Sequence, residues 1–352
     1  MLLPRLKNDH IPELKLNDLQ NKMKDQVSGK VDKGVYEFEE IACPICSSAK
    51  NEVIGEKDRY GLFFKTNICT ACGFVYTSPR MTQGAYNQFY NIEYRQLYVG
   101  KETATQAFFD GQKQKGKYIY HFLKKNKLIG DNPLFVFEVG CGAGGILDFF
   151  RKKGHKVKGI DLGKEYVEYG KNTHNLDLET ATLAEMNLAE KPDIIIYSHV
   201  LEHILDINEE LETIKACSKE STLTYIEVPG IKEVHKNYEA NILTYFQNAH
   251  TFHFTLETLT NLFTKNGFQR ISGNQFVQAV FKQATNQDKI ESDYEASKSY
   301  ILTTEKNRKL YPFTVRGIKR NLQKAVPVIL DKTHTRGIAR SLKRLLTQNR
   351  SN

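Results

Sequence analysis

Four glycines and two acids lie close together near the middle of the chain. The stretch from Val136 to Gly145 reads Val-Phe-Glu-Val-Gly-Cys-Gly-Ala-Gly-Gly, and Asp161 ends the next apolar run. Its first residues are typical of a buried parallel strand, and those from Ile146 onward are typical of a helix. Glycines at this junction let a ligand approach the backbone, and an acid ending the next strand can bind ribose hydroxyls. We therefore expect a cofactor that contains adenosine.

Two cofactor classes fit this loop. Gly140, Gly142 and Gly145 satisfy the dinucleotide pattern G-x-G-x-x-G, with an acid at about the expected 20 residues beyond it. The shorter pattern E-x-G-x-G-x-G is also satisfied, with Gly144 as its third glycine and Glu138 as its acid. A carboxylate at the tip of a buried strand is costly without a partner. This acid favours the second class, because the loop resembles that of class I S-adenosylmethionine-dependent methyltransferases, whose acid holds the methionine end of the cofactor.

Further segments follow in the order typical of that family. They are a second strand at 157–161, its helix at 164–174, a fourth strand and turn at 192–203, a fifth strand at 221–229, and a helix at 254–268 that precedes a closing hairpin. The resemblance implies an α/β fold, with a doubly wound, Rossmann-like, seven-stranded sheet whose last strand is antiparallel. It also implies cofactor contacts from Glu138, Gly140, Cys141, Gly142, Gly144, Asp161, Leu162, Ala184, Glu185, Ser198 and His199.

Methyl transfer to oxygen or carbon requires removal of a proton, and histidine is the usual base at neutral pH. His199 follows the predicted fourth strand, whose carboxyl end borders the cofactor cleft. His250 and His253 lie between the predicted fifth strand and its helix, a typical position for a substrate loop. We expect His199 to be the first candidate for a catalytic role. The alternative for each histidine is a hydrogen-bonded structural role.

A second metal site is also conceivable near this turn. His199, Glu202 and His203 have the spacing i, i+3, i+4, which puts them on one face if the turn is helical. The run Ser-His-Val-Leu-Glu-His resembles a segment of ubiquinone-pathway O-methyltransferases in which acids and a histidine can hold a divalent metal. His199 stands where that family has an acid, so the ligand set is incomplete.

Four of the six cysteines form two C-x-x-C pairs separated by 22 residues: Cys43 with Cys46, and Cys69 with Cys72. This spacing predicts four thiolate ligands around a structural zinc ion. Gly73 permits the tight turn that follows the second pair. A redox site would need only one pair, and a closed four-thiolate site leaves no open position for catalysis.

The residues after the second pair resemble the zinc-ribbon leader of many bacterial methyltransferases of surface-sugar biosynthesis. The resemblance rests on 72–80 and 89–94, and it implies a small-molecule or sugar-linked acceptor in surface polysaccharide biosynthesis. Tyr76, Arg80, Tyr86, Tyr90, Tyr94 and Tyr98 would then face the acceptor, unless they join the ribbon to the core. Other hypotheses are a methyltransferase of a quinone or other small metabolite, and a nucleic-acid-binding ribbon protein or nucleic-acid methyltransferase.

Positive charge is concentrated in the last part of the chain. The net charge is +9, yet residues 306–352 carry 13 Lys and Arg and one acid, which leaves −3 for residues 1–305. Residues 336–346 have the pattern of an amphipathic helix with basic flanks. Such a helix can lie on an anionic membrane, bind nucleic acid, or cover an apolar groove of its own protein. Nucleic acid is the least favoured, because aromatic and basic residues do not alternate.

Four segments are predicted: a charged leader at 1–40, a zinc ribbon with acceptor-side residues at 41–104, a methyltransferase domain at 105–285, and a linker with a basic tail at 286–352. No run approaches the ~20 apolar residues that span a bilayer. The N-terminal residues lack the apolar region of a secretory signal. These features predict a cytoplasmic protein whose tail can reach the inner face of the membrane.

Overall fold

The computed structural model describes residues 1–99, 105–284 and 289–332. Its strands are β1 (Phe38–Glu39), β2 (Asn51–Lys57), β3 (Phe63–Cys69), β4 (Val75–Thr77), β5 (Arg80–Met81), β6 (Phe135–Val139), β7 (Lys156–Ile160), β8 (Leu178–Glu179), β9 (Ile194–Ser198), β10 (Leu223–Glu227), β11 (Phe252–His253), β12 (Phe268–Gly273) and β13 (Gln278–Gln283).

The α-helices are α1 (Asp18–Asp32), α2 (Gln83–Phe89), α3 (Arg95–Val99), α4 (Gln106–Lys125), α5 (Gly145–Arg151), α6 (Lys164–His174), α7 (Ile207–Cys217), α8 (Val234–Asn237), α9 (Ile242–Tyr245), α10 (Leu256–Lys265), α11 (Tyr294–Asn307) and α12 (Val315–Lys332). A π-helical segment, Tyr90–Tyr94, joins α2 to α3. Short 3-10 turns occupy Pro4–Leu6, Leu201–His203, Ile231–Glu233 and Arg308–Phe313. Of the helices the structure describes, none is both long and apolar enough to cross a bilayer.

The central sheet has seven strands in the order β12-β13-β10-β9-β6-β7-β8. Strands β6 to β10 run parallel to one another, while β13 is antiparallel to β10. All five residues of β6 are buried, as expected for a parallel strand covered on both faces. Helices α4 and α5 pack on one face, and α7 and α10 pack on the other. The predicted α/β fold with an antiparallel last strand is confirmed.

The topology brings the chemistry-bearing residues to one edge of the sheet. The loop after β6, the acid after β7, and the ends of β9 and β10 all lie at the carboxyl edge of the parallel strands. The register of β9 and β10 pairs Ser198 with Glu227 directly. Ligands of doubly wound sheets bind at this edge, so the fold itself places the predicted cofactor site.

The ribbon segment packs directly against the sheet domain. Strands β2, β3 and β4 form an antiparallel sheet whose fourth strand, β11, comes from far along the chain. Phe74 of the ribbon and Phe254, which follows β11, are both fully buried in one hydrophobic core. Apolar residues on both sides of the predicted boundary at residue 104 therefore bury one another.

The first 40 residues, predicted as a charged leader, pack against the rest of the fold. Leu3 and Leu6 are 3% and 0% exposed, and the backbone N–H of Leu3 donates to Ile54 O of β2 at 3.0 Å. A capping box at Asn17 starts α1, which buries Val27 completely. The segment is highly charged, but its buried apolar side chains lie on the sides that face the ribbon and α2.

The segment predicted to be a linker or exposed helix contains the packed helix α11. Ser297 and Ile301 are buried, and Arg5 donates to the Glu305 carboxylate at 2.9 Å. The N- and C-terminal parts of the described chain therefore contact each other. The predicted amphipathic helix at 336–346 lies outside the described residues.

Candidate cofactor site, histidine cluster and cysteine cluster

The loop between β6 and α5 has the conformation that its glycines predict. Gly140 and Gly142 adopt φ of 70° and 53°, in the left-handed region that favours glycine. A Cβ on Gly142 would lie 2.7 Å from Gln112 Nε2 of α4. Gln112 donates to Cys141 O at 2.9 Å and accepts from the N–H of Gly145 at 3.3 Å. Helix α4 therefore holds the loop in place.

Two buried polar side chains at this edge have no hydrogen-bond partner among the described residues. Glu138 is 1% exposed and its Oε2 atom is unpaired; the Ser198 hydroxyl is also buried and unpaired. Burial raises the pKa of the Glu138 carboxyl well above its usual value, and the negative charge of Asp161 adds to this. Unpaired buried groups of this kind are costly, so a ligand with a cationic or hydroxyl donor fits here.

Asp161 connects the loop to the next helix. Its carboxylate accepts from the N–H of Gly142 at 2.8 Å and from the N–H of Gly163 at 2.6 Å. Arg95 of α3 approaches it at 3.7 Å and lies 4.1 Å from the centre of the Tyr166 ring. The acid therefore stands at the predicted position, next to a cation that the sequence did not indicate.

The remaining predicted cofactor contacts lie on the open side of the site. Leu162 is 59% exposed, an unusual exposure for an apolar side chain. Ala184 and Glu185 are also exposed, and Glu185 accepts from the backbone N–H of Thr182 at 2.7 Å. These side chains can border the adenine end of a bound cofactor.

His199 lies between two carboxylates. Its Nδ1 is 3.6 Å from Glu202 Oε1, and its Nε2 is 3.7 Å from Glu227 Oε1. Burial lowers the pKa of His199, but the interactions with Glu202 and Glu227 outweigh burial and raise it to about 9. The ring is therefore protonated at neutral pH, which is the opposite of what a resting base requires.

Two other histidines meet Glu202 from its far side. Ligand atoms of Glu202, His203 and His250 all lie within 4.8 Å of one another, and the two rings pack edge to face with centroids 4.6 Å apart. Burial lowers the pKa of both histidines, so both are neutral near pH 7. Glu202 is 1% exposed, and its carboxylate has no hydrogen bond to a described residue. Two neutral imidazoles and a carboxylate can accept a proton or hold a divalent cation.

His253, predicted with His250 as a catalytic candidate, occupies a different environment. It lies on β11 and is 1% exposed, and neither ring nitrogen has a polar partner among the described residues. The rings of Phe64, Tyr245 and Phe246 surround it. Burial lowers the pKa of His253 to about 3. The structure therefore places His253 as a neutral core side chain.

A column of tyrosines lies over the histidine cluster. Tyr90 and Tyr94 stack with ring centroids 4.6 Å apart, and Tyr98 continues the stack at 5.7 Å. The rings of Tyr90 and Tyr94 lie 6.0 and 5.7 Å from the His203 ring. Glu93, between them in sequence, is fully buried and accepts from Tyr36 Oη at 2.6 Å. The leader segment thus anchors this column.

The other aromatic and basic residues of this region join parts of the protein together. Tyr76 is fully buried and stacks on Phe74 in the ribbon. Arg80 pairs with Glu39 at 2.9 Å and donates to Leu205 O at 2.6 Å. The packing alternative is therefore correct for these two, whereas the tyrosine column keeps partly open faces.

The four predicted cysteine ligands converge. The sulfurs of Cys43 and Cys72 are 3.5 Å apart, as are those of Cys46 and Cys69, and all four lie within 4.8 Å of one another. A tetrahedral site with Zn–S bonds of ~2.3 Å requires S···S separations of about 3.8 Å. Gly73 has φ of 81°, and its N–H donates to Cys69 O at 2.9 Å, as the predicted tight turn requires.

Both cysteine turns are fixed to the rest of the molecule. Pro44 O accepts from Lys265 Nζ at 2.8 Å and from Asn208 Nδ2 at 3.2 Å, so α10 and α7 hold the first turn. The second turn receives the N–H of Asp293 at Cys72 O, 3.1 Å away. The cluster therefore lies where the ribbon, the sheet domain and α11 meet.

Sequence reasoning missed three contributors to the site. Glu227 could have been found, because it ends a buried strand as Glu138 does. Gln112 and Arg95 carried no signal, since each lies on a helix far from the motif it contacts.

Comparison with known proteins agrees with this geometry. Residues 112–272 match a family model described as "Methyltransferase domain". The ubiquinone biosynthesis O-methyltransferase of Aliivibrio fischeri (strain MJ11) is 33% identical over 99 residues, which cover 25% of this chain and 41% of that protein. The enzyme of the same name from Vibrio cholerae is 31% identical over 108 residues, 28% of this chain and 41% of its own length. The chain thus spans less than half of these relatives.

Solved methyltransferase structures also align with the chain. One is the 1,6-didemethyltoxoflavin-N1-methyltransferase of Burkholderia thailandensis with bound S-adenosylhomocysteine (TM-score 0.40, 15% identity, 68% of this chain and 100% of that one). Another is an S-adenosylmethionine-dependent methyltransferase from Clostridium acetobutylicum (TM-score 0.40, 13% identity, 56% and 99%). The family match covers the glycine loop, both acids and the histidine turn. Residues 112–272 therefore match a methyltransferase domain.

Proposed function

We propose that this protein transfers a methyl group from S-adenosylmethionine to an oxygen or carbon atom of a sugar or sugar-linked intermediate of surface polysaccharide biosynthesis. The observation that supports it is that the tyrosine column beside the histidine cluster adjoins the cofactor edge of the sheet. Arg95 contacts Asp161 of the cofactor site, and the adjacent Tyr94 ring lies against His203. An acceptor between tyrosine faces and polar histidines would therefore be next to the cofactor.

The buried groups suit this cofactor. S-adenosylmethionine carries an activated methyl group on a sulfonium, together with an ammonium and two ribose hydroxyls. Glu138, unpaired and buried, would pair with the ammonium, and Asp161 would accept from the ribose. The Ser198 hydroxyl lies at the same strand end and can donate to or accept from the ligand.

The histidine cluster can take up the proton that the acceptor loses during methyl transfer. His203 is neutral and half-buried, and it faces the tyrosine column, so we assign proton removal to its imidazole. His250 and Glu202 would then stabilise the charged ring that forms. His199, which is already protonated, would favour negative charge on the acceptor oxygen. Tyr90 and Tyr94 offer flat faces and hydroxyls, which suit a ring with several polar substituents.

We also infer that the cysteine cluster holds a structural zinc ion. The four sulfurs are close enough for one tetrahedral ion, and the closed set leaves no position for substrate. The cluster lies between the ribbon, the sheet domain and α11. This position suits a role in holding the ribbon against the sheet domain.

A quinone or other phenolic metabolite is the second candidate acceptor. The curated relatives that match are named for ubiquinone biosynthesis. Glu202, His203 and His250 would in this case hold a divalent cation that binds acceptor oxygens. A requirement for added Mg²⁺ would favour this candidate over the sugar.

The test is a transfer assay with labelled S-adenosylmethionine against nucleotide sugars and against catechols and quinols. We expect transfer to a nucleotide sugar. His203→Asn should lower kcat by about a hundred-fold or more, while the affinity for S-adenosylmethionine, measured by calorimetry, stays unchanged. Transfer only to quinols would replace the sugar proposal. Tight NAD binding without S-adenosylmethionine binding would overturn the cofactor.

Two matched variants, His203→Asn and His250→Asn, distinguish the proposed base from the histidine beside it. His250→Asn should reduce kcat less than His203→Asn, since His250 is 7% exposed and acts through Glu202. Asp161→Ala should instead weaken S-adenosylmethionine binding by ~1.5–3 kcal/mol. Equal loss of kcat in both histidine variants would remove the assignment to His203.

A further inference from the structure

The described C-terminal end presents large apolar side chains to solvent. Phe313 and Val315 are 79% and 87% exposed, and Leu310, Ile318 and Leu322 are at least half exposed. Val315, Ile318 and Leu322 have the spacing i, i+3, i+7, so they share one face of α12. An apolar stripe this exposed is uncommon on a soluble surface.

The segment that leads into α12 is firmly packed on the protein. Tyr311 is 8% exposed, and α11 before it buries Ile301 completely. Thr314 Oγ1 accepts from the N–H of Gly317 at 3.0 Å. A Cβ on Gly317 would lie only 1.9 Å from Tyr311 O, so the first turn of α12 packs closely on the corner that precedes it. The corner thus fixes the position of the start of α12.

Cations flank the apolar stripe. Lys309, Arg316 and Lys319 are exposed, and none of them forms an ion pair with a residue that the structure describes. Arg320 pairs with Glu239 at 2.9 Å. The wider segment 306–352 carries +12, while the rest of the chain carries −3.

We propose that this face, formed by Leu310, Phe313, Val315, Ile318 and Leu322 with their basic neighbours, lies on an anionic lipid bilayer. A bilayer interface offers apolar depth and negative charge at the same place. Nucleic acid would satisfy the cations but leave Phe313 and Val315 in water. Charged residues within α12 prevent it from crossing the bilayer, so the helix lies in the interface.

Membrane binding does not depend on which acceptor the enzyme methylates. It does bring the methyltransferase domain to the surface where lipid-linked acceptors reside. The protein can therefore bind membranes even if its acceptor is not a sugar, and it can methylate a sugar even if it does not bind membranes.

The test is sedimentation of the full-length protein with vesicles of phosphatidylcholine alone or of phosphatidylcholine mixed with phosphatidylglycerol. We expect binding only to the mixed vesicles, weakened by added salt because exposed charges are screened. The variant Phe313→Ser/Val315→Ser/Ile318→Ser should lower the partition coefficient on the order of a hundred-fold or more. Lys309→Gln/Arg316→Gln/Lys319→Gln should lower it by a similar factor.

Matched controls use exposed residues elsewhere. Ile11→Ser/Val35→Ser removes apolar surface, and Lys22→Gln/Lys117→Gln/Lys171→Gln removes the same charge. Both should leave vesicle binding unchanged, and all four variants should keep the wild-type melting temperature and S-adenosylmethionine affinity.

Three outcomes would overturn the proposal. The first is full-length protein that ignores mixed vesicles at low salt. The second is an apolar variant that binds them like the wild type. The third is a concentration-dependent dimer that the apolar variant abolishes, because a second copy of the chain would then cover this face. Binding to a random single-stranded RNA that survives the apolar substitutions, without vesicle binding, would assign the cations to nucleic acid instead.

Discussion

Two buried acids ten residues apart have opposite surroundings. Glu138 on β6 and Asp148 on α5 are each 1% exposed. Asp148 accepts from Arg151 at 2.8 Å and from Lys152 at 2.7 Å, with Lys113 at 3.1 Å. Burial raises the pKa of Asp148, but these three cations outweigh burial and lower it to about 2. Glu138 has no such partner in the part of the chain that the structure describes, and burial raises its pKa.

The difference distinguishes a structural charge from one that awaits a ligand. The fold compensates Asp148 completely, so its charge contributes to stability. It leaves Glu138 uncompensated, which costs stability until a cationic ligand arrives. The cysteine cluster belongs with Glu138, because among the described residues its sulfurs have only one another as side-chain partners.

The largest effect is expected at the cysteines. Cys69→Ser should remove the zinc and destabilise the fold by several kcal/mol, since a four-thiolate site contributes directly to folding. Metal analysis and thermal melting measure both effects. Cys217→Ser, which alters a cysteine outside the cluster, is the control and should keep zinc and melting temperature. A zinc-free wild type with the same melting temperature as the Cys69 variant would contradict the structural role.

At Glu138 we expect lost binding without lost stability. Glu138→Gln keeps the shape but removes the charge that would pair with the cofactor ammonium. Affinity for S-adenosylmethionine should fall by ~1.5–3 kcal/mol, while the melting temperature stays equal or rises. Calorimetry and thermal melting provide the two readouts. A variant that melts lower yet binds normally would place Glu138 with the structural acids.

Asp148→Asn should show the reverse pattern. Removing the carboxylate leaves three cations without their shared partner, so unfolding should become easier by about 1–2 kcal/mol. The affinity for S-adenosylmethionine should not change. Denaturant unfolding at neutral pH measures the first effect, and calorimetry measures the second. Loss of cofactor binding here would mean that α5 contacts the ligand.

The smallest expected effect is a pH dependence of the stability difference between the wild type and Asp148→Asn. The pKa of Asp148 is lowered in the fold, so its stabilising contribution is fully present above the unfolded value of about 3.9. It should disappear as pH falls through about 2, the folded value. The stability gap between wild type and Asp148→Asn should therefore shrink below pH ~4. A gap that stays constant down to pH ~2 would show that the carboxylate acts by packing alone.

Residues that are close in sequence made the cofactor edge predictable. The glycine loop, Glu138 and Asp161 belong to consecutive strand–turn–helix units, whose geometry is common to parallel sheets. The cysteine turns were predictable for the same reason, because each pair defines its own turn. The seven-stranded sheet with its antiparallel last strand was implied by the family resemblance, and the strand order came only from the structure.

The acceptor side was predicted less well because it depends on distant contacts. His203 meets His250 and Tyr94 only after segments more than 40 residues apart have packed together, and no local pattern encodes that. Lone histidines also give little signal. His253 alternates with the buried Phe252 and Phe254 on a short strand, yet its polarity suggested chemistry rather than burial among aromatic rings.

The fourth ribbon strand sets an order for synthesis. Strand β4 ends at Thr77, and its partner β11 begins at Phe252. The ribosome therefore adds about 175 residues between them. At typical rates of 5–20 residues per second, this takes roughly 9 to 35 s. During that time the edge of β4 lacks its neighbour. Both cysteine pairs are made early, so the proposed zinc could bind before then, but the ribbon reaches its final packing only after most of the methyltransferase domain has been synthesised.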